Sequence, residues 1–165
     1  MNIKGVLLLL VFSLIILTSC NKTIDYETKF KNEFNQGNLI YNDKFVVNSS
    51  LNGLKTRGIQ ELTVYSFNQT CGKNTQIILL SIQIVNDPQD FLAKTVDEYE
   101  CKEIWINKNK KAFECDFQLS YSKMLIVNEP QNPIFIIEPL ADEENFCSYQ
   151  EFYDARINIF ESALN

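Results

Sequence analysis

Residues 77–99 read IILLSIQIVNDPQDFLAKTVDEY, and the change of pattern inside this stretch decides the fold class. From Ile77 to Val85 the chain is almost continuously apolar, with only Ser81 and Gln83 polar. Such a run suits a central strand covered on both faces. The period then changes. Asp87 can cap a helix, Pro88 fits its first position, and Asp90 sits well in its first turn. Phe91, Leu92, Val96 and Tyr99 fall along one helical face. A buried strand therefore feeds directly into an amphipathic helix.

Downstream, Cys101–Ile106 and Ala112–Leu119 read as a hairpin through Asn107-Lys108-Asn109-Lys110. In its second strand Phe113, Cys115, Phe117 and Leu119 point one way, and Glu114, Asp116 and Gln118 the other. A two-residue turn at Lys108-Asn109 sets Ile104 opposite Phe113 and Lys102 opposite Cys115. Lys123–Val127 and Ile134–Ile137 give two further strands, joined by a Pro-containing turn over 128–133. The last helix is the best signalled. Ser148 and Glu151 form a capping box, with Cys147 and Phe152 placed as its staple. Tyr149, Phe152, Tyr153, Ile157, Phe160 and Leu164 make a broad apolar face.

Upstream, Tyr26, Phe30 and Phe34 recur every four residues between Asp25 and Asn35, a short helical stripe. Glu27 with Lys31, and Lys29 with Glu33, can pair across one turn. Leu39–Val47 reads as a strand that the polar Asn42-Asp43-Lys44 can fold into a hairpin. Residues 48–58 are loop-like, Glu61–Phe67 is a strand, and 68–75 is a turn. Hairpins separated by single helices predict an α+β domain with a mostly antiparallel sheet and packed helices. Its expected organisation is a leader over 1–19, a tether and short helix over 20–37, and one globular domain over 38–165.

The layout from Asn38 to Leu164 resembles the PsbP/Mog1-like α/β/α sandwich family. The matching features are Tyr41–Val47 as an opening strand pair, the Asp87-capped helix, the hairpin Cys101–Leu119, a second hairpin ending at Ile137, and the closing helix Ser148–Leu164. The resemblance implies a non-enzymatic binding or assembly factor. It carries no site residue over.

The N-terminus has its own logic. Lys4 precedes an apolar run from Val6 to Leu17, broken only by Ser13, and Leu17-Thr18-Ser19-Cys20 follows. A positive end, a short apolar core and small residues make a secretory leader. The run is shorter than the roughly 20 residues that cross a bilayer. With cysteine after Leu-Thr-Ser, it resembles a bacterial lipoprotein signal. That resemblance implies diacylation of the Cys20 thiol, cleavage before Cys20 and acylation of the new amino group. Two or three acyl chains anchor firmly, whereas one does so only marginally. The expected location is the bacterial cell envelope, at the outer membrane on its periplasmic or surface face.

Removing the leader leaves 146 residues, enough for one domain with a sizeable core. The net charge is −6 with Lys4 and −7 without it, which argues against nucleic-acid binding. Four cysteines remain: Cys71, Cys101, Cys115 and Cys147. In an oxidising compartment an even number predicts two disulfides. Three pairings are possible. The hairpin register above favours Cys71–Cys101 with Cys115–Cys147; free buried thiols are the alternative.

There is no histidine, which removes the commonest general base and transition-metal ligand. Ser120-Tyr121-Ser122-Lys123 has the S-x-x-K spacing but falls between strands, without companion motifs. Asp142, Glu143 and Glu144 read as a solvated loop; calcium binding is the other reading. Trp105 is expected to pack beneath a helix. Its alternative is an exposed contact patch with Tyr99 nearby. No catalytic residue, metal or cofactor is assigned. The expected function is a lipid-anchored, non-catalytic binding or assembly module with a membrane anchor and an unidentified protein partner. The alternatives are a contact-toxin immunity lipoprotein and a carboxylate-dependent hydrolase, which needs two acids about 5–10 Å apart.

Overall fold

The apolar run becomes a strand with a neighbour on each side. The computed structural model describes residues 24–47, 52–107, 110–116, 123–128, 134–140 and 147–164. In chain order the elements are α1 (Tyr26–Glu33), β1 (Leu39–Val47), α2 (Asn52–Thr56), β2 (Ile59–Cys71), β3 (Asn74–Val85), α3 (Pro88–Glu98), β4 (Lys102–Asn107), β5 (Lys110–Asp116), β6 (Lys123–Asn128), β7 (Ile134–Leu140) and α4 (Tyr149–Leu164). Cys20, the S-x-x-K serine, the 129–133 segment and the Asp142–Glu144 loop lie outside the described residues.

The seven strands form one sheet in the order β1-β2-β3-β7-β6-β5-β4, and every pair is antiparallel. Two meanders build it. The first runs outward-in from β1 to β3. α3 then carries the chain to the far edge, and β4–β7 walk back until β7 closes on β3. This is the α+β class that the sequence predicts.

Helices cover both faces. α1 and α4 pack on one face around Phe30, Tyr65, Phe67, Ile78, Leu80, Phe135, Ile137, Ile159 and Phe160. α3 lies on the other, where Leu92 meets Ile59, Val85, Cys115, Ile126, Ile134 and Ile136. β3 serves both cores through alternate residues. Its second face is only partly covered, and Ile77 and Leu79 stay half-buried there.

The helices start as their sequences dictate. Asp25 accepts from the Thr28 amide and hydroxyl, and the hydroxyl holds its carboxyl below the usual range. Phe30 is enclosed by Tyr65 and Phe67, with ring centroids 5.1 and 5.3 Å away. Burial there pushes the Tyr65 phenol up to about 12. Glu27 pairs with Lys31 at 2.6 Å and with Lys44 of β1 at 3.4 Å. Asp87 caps α3 through the Gln89 and Asp90 amides, with Pro88 at the first position. At α4 the capping box closes: the Ser148 amide donates to Glu151, and the Glu151 amide to Ser148.

Several expectations are corrected. Leu39–Val47 is the single strand its pattern reads as, and the hairpin that Asn42-Asp43-Lys44 could make is not formed. Asn42 is absorbed as a bulge while the rest keeps pairing with β2. β2 runs to Cys71 and β3 starts at Asn74, so the 68–75 turn shrinks to Gly72-Lys73. Gly72 takes the positive φ (60°) that the first position of a two-residue hairpin loop requires. Part of the 48–58 loop winds into α2. The α4 face is turned from the expected one. Phe152, Ala155, Arg156, Ile159, Phe160 and Ala163 are buried, whereas Tyr149 is exposed.

The disulfide pairing is also corrected. Cys71 is bonded to Cys147, and Cys101 to Cys115. The reason is a bulge in β4: Asn107 faces Lys110, but Trp105 already faces Lys111, so Ile106 is the extra residue. Every pair beyond it slips by one, giving Ile104 opposite Ala112 and Lys102 opposite Glu114. Cys101 therefore comes opposite Cys115.

Candidate functional site

A cavity with polar walls lies where the α2–β2 corner meets α3. α2 ends in Lys55 and Thr56, and Arg57 and Gly58 make the corner. The Arg57 amide donates to the Leu54 carbonyl, and the Gly58 amide to that of Lys55. Gly58 has φ +73°, a conformation that other residues adopt at a cost. Its carbonyl accepts from the Asn86 amide at 2.9 Å, fixing the corner against the start of α3. Gln60 Nε2 donates to Asn86 Oδ1, locking the same junction from the next strand position.

The opposite wall is one stripe of α3. Asp87, Asp90, Phe91, Lys94, Thr95 and Glu98 line it, at the i, i+3, i+4 spacing of a single helical face. The cavity holds about 420 Å³, within the range of small-ligand sites. A shallower cavity of about 230 Å³ adjoins it, sharing Lys55, Gly58 and Asn86.

The charges of this cleft divide into committed and open groups. Asp87 is occupied by the helix cap. Asp90 holds Lys94 at 2.7 Å. Thr95 donates to the Phe91 carbonyl. Lys55, Arg57 and Glu98 also line the cavity, and among the described residues their side chains have no hydrogen bond or ion pair. The cleft thus presents two open cations beside the α3 N-terminus and one open carboxylate near its C-terminus.

Two other polar clusters hold partners within the fold. Arg156 is 0% exposed, with Nη2 3.3 Å from Glu114 Oε1. Its guanidinium lies 4.5 Å from the Phe152 ring centroid, 5.1 Å from that of Tyr153 and 5.6 Å from that of Tyr149. The Tyr149 hydroxyl donates to the same Glu114 oxygen. A second relay pins α4 to the β2–β3 hairpin. The Cys147 amide donates to Gln76, Gln76 to Gln69, and Gln69 to the Glu151 carbonyl.

Trp105 does not pack beneath a helix; it is 55% exposed. Its position across from Lys111, set by the Ile106 bulge, lies away from the Cys101 end that α3 covers. Lys111 Nζ sits 5.0 Å from the Trp105 ring centroid and 2.9 Å from Glu103. On the opposite sheet edge, β1 exposes Phe45 (51%) and Val46 (73%). Among the described residues, no group of three His, Cys, Asp or Glu could hold a metal ion. Nor is any described helix long and apolar enough to cross a membrane.

Sequence reasoning placed Asp87 and Asp90 but missed the cleft. Lys55 and Arg57 sat in a segment read as loop, and nothing local signalled that the corner would fold against α3. The i, i+4, i+8 series Asp90, Lys94, Glu98 was the available sign of a polar helix face with a purpose. No family model, curated protein or solved structure matches this chain.

Proposed function

We propose that this chain is a lipid-anchored lipoprotein of the bacterial cell envelope that works as a binding module, with the α2–α3 cleft as its ligand site. The observation that carries the binding role is the cleft itself. Lys55, Arg57 and Glu98 face a cavity of about 420 Å³ with no side-chain partner among the described residues. Open charges converging on a concave surface are what a polar ligand requires for orientation. The envelope location is supported by the leader with Leu17-Thr18-Ser19-Cys20 and by the joining of the other four cysteines in two bonds. Such bonds persist in exported proteins.

Two measurements test the two halves. Cells expressing the full chain should incorporate radiolabelled palmitate into it, and Cys20→Ala should abolish both label and sedimentation with membranes. A Cys20→Ala protein that still sediments overturns the anchor. For the cleft, adding a small-molecule extract of the envelope to the isotope-labelled protein should shift amide resonances at Arg57, Gly58, Asn86 and Lys94. Unchanged resonances at all four overturn the ligand site.

A further inference from the structure

The open charges of the cleft are arranged as a dipole. Lys55 and Arg57 flank the junction where the Asn86 amide meets Gly58, at the N-terminal end of α3. Glu98 is the last residue of α3, at the other end. Between them the Asp90–Lys94 pair is internally neutral. The helix dipole has the same sense, positive at the start of α3 and negative at its end. From Asp87 to Glu98 the helix advances about 16 Å at 1.5 Å per residue. An extended peptide covers that length in about four or five residues.

The geometry points to a short dipolar peptide as the ligand, its free α-carboxylate against Lys55 and Arg57 and its ammonium group against Glu98. Arg57 offers a planar fork that matches a carboxylate, and Lys55 adds a second positive charge. A purely anionic ligand would leave Glu98 repelling it. A purely cationic one would meet Lys55 and Arg57. Thr56, Thr95 and Asn86 supply short polar side chains along the walls, and Phe91 adds an apolar surface for the peptide's own side chains. This assignment rests on the cleft being the binding site.

The test uses the full lipidated chain in detergent micelles with three probes: tetraalanine with free termini, its N-acetyl form and its C-terminal amide. Free tetraalanine should bind at the cleft amides. Blocking either terminus should weaken binding about tenfold. Arg57→Ala should weaken the free peptide by a similar factor yet leave the C-terminal amide unaffected. Glu98→Gln should weaken the free peptide and not the N-acetyl form. Both residues are exposed, so an unchanged unfolding transition shows that each variant folds. Equal binding of all three probes, or equal effects of each variant on all probes, overturns the dipolar assignment. Cleft binding of free tetraalanine that ignores Glu98→Gln but requires Arg57 keeps the cleft and rejects the dipole. Absence of tetraalanine binding also rejects the dipole, while the envelope-extract experiment judges the cleft separately.

Discussion

Arg156 is the largest fully buried side chain among the described residues, and its charge is answered by one carboxylate and three aromatic rings. Removing one partner of a buried pair leaves an uncompensated charge, which costs about 3–5 kcal/mol. Glu114→Ala should therefore destabilise by about that much in urea titration. Arg156→Met, an apolar chain of similar reach among the same rings, should cost far less. The double variant should recover most of the Glu114→Ala loss; failure to recover it would show that Glu114 stabilises by another route. The placement of Arg156 was legible in spacing, since it lies four residues after Phe152 and three before Ile159. A charged residue does not register in an apolar periodicity, so pattern alone passes over it. A second isolated group behaves oppositely. Burial pushes the Glu138 carboxyl above its usual 4.5. Below that pH it is neutral in both folded and unfolded chains, so folding carries no penalty. As pH rises through the folded value, the unfolded chain ionises freely while the folded one must hold a charge in a poorly solvated place. Glu138→Gln should thus stabilise the protein at pH 7, and the gain should vanish at pH 4. A gain that persists at pH 4 would show that desolvation is not its cause.

Element ends were read well where the chemistry is local. Asp87-Pro88 at α3 and Ser148 with Glu151 at α4 cap as their side chains dictate, because a cap involves residues two or three apart. Ser148→Ala should cost about 1 kcal/mol, read as a lower urea midpoint with an unchanged slope. An unchanged midpoint would mean that Cys147–Cys71 and the Gln69–Gln76 relay alone hold the start of α4. Registers were harder to read. The alternation of Phe113 and Cys115 gave the face of β5 that meets the α3 core, although Ala112 is buried in the other core; one extra residue at Ile106 moved the partner of Cys115 from Lys102 to Cys101. Nothing in the residues around Ile106 announces a bulge; cross-strand packing decides it. Deleting Ile106 should remove the bulge yet keep Cys101 opposite Cys115, because Asn107 then follows directly on Trp105 in one regular ladder. Titration with a thiol reagent should then still find this pair oxidised, whereas two newly free sulfhydryls would show that the bulge does not set this register.

For the whole molecule, the decisive contact is the one between the two meanders, β3 with β7. The apolar run at Ile77–Val85 identified a central strand, and β2 is its local neighbour. Its second neighbour lies more than fifty residues onward, a separation at which sequence pattern carries no pairing information. The same distance separates the walls' fates in the cleft: α3 was legible, while the Lys55–Gly58 corner depends on where the sheet carries it. The disulfides lock this non-local arrangement unequally. Cys71–Cys147 closes a separation of 76 residues and ties the tip of the first meander to α4, whereas Cys101–Cys115 closes 14 within one hairpin. Constraint of the unfolded chain grows with the logarithm of loop length, giving about 4.5 kcal/mol for the long loop and about 3 for the short one. Cys71→Ala with Cys147→Ala should therefore lower stability more than Cys101→Ala with Cys115→Ala, by about 1.5 kcal/mol in urea. The nested short bridge shortens the effective long loop, so the gap should widen slightly when the long bond is removed from a protein that already lacks Cys101–Cys115. The reverse order of losses would mean that the local bond, by fixing β4 against β5 under α3, contributes more than chain entropy allows.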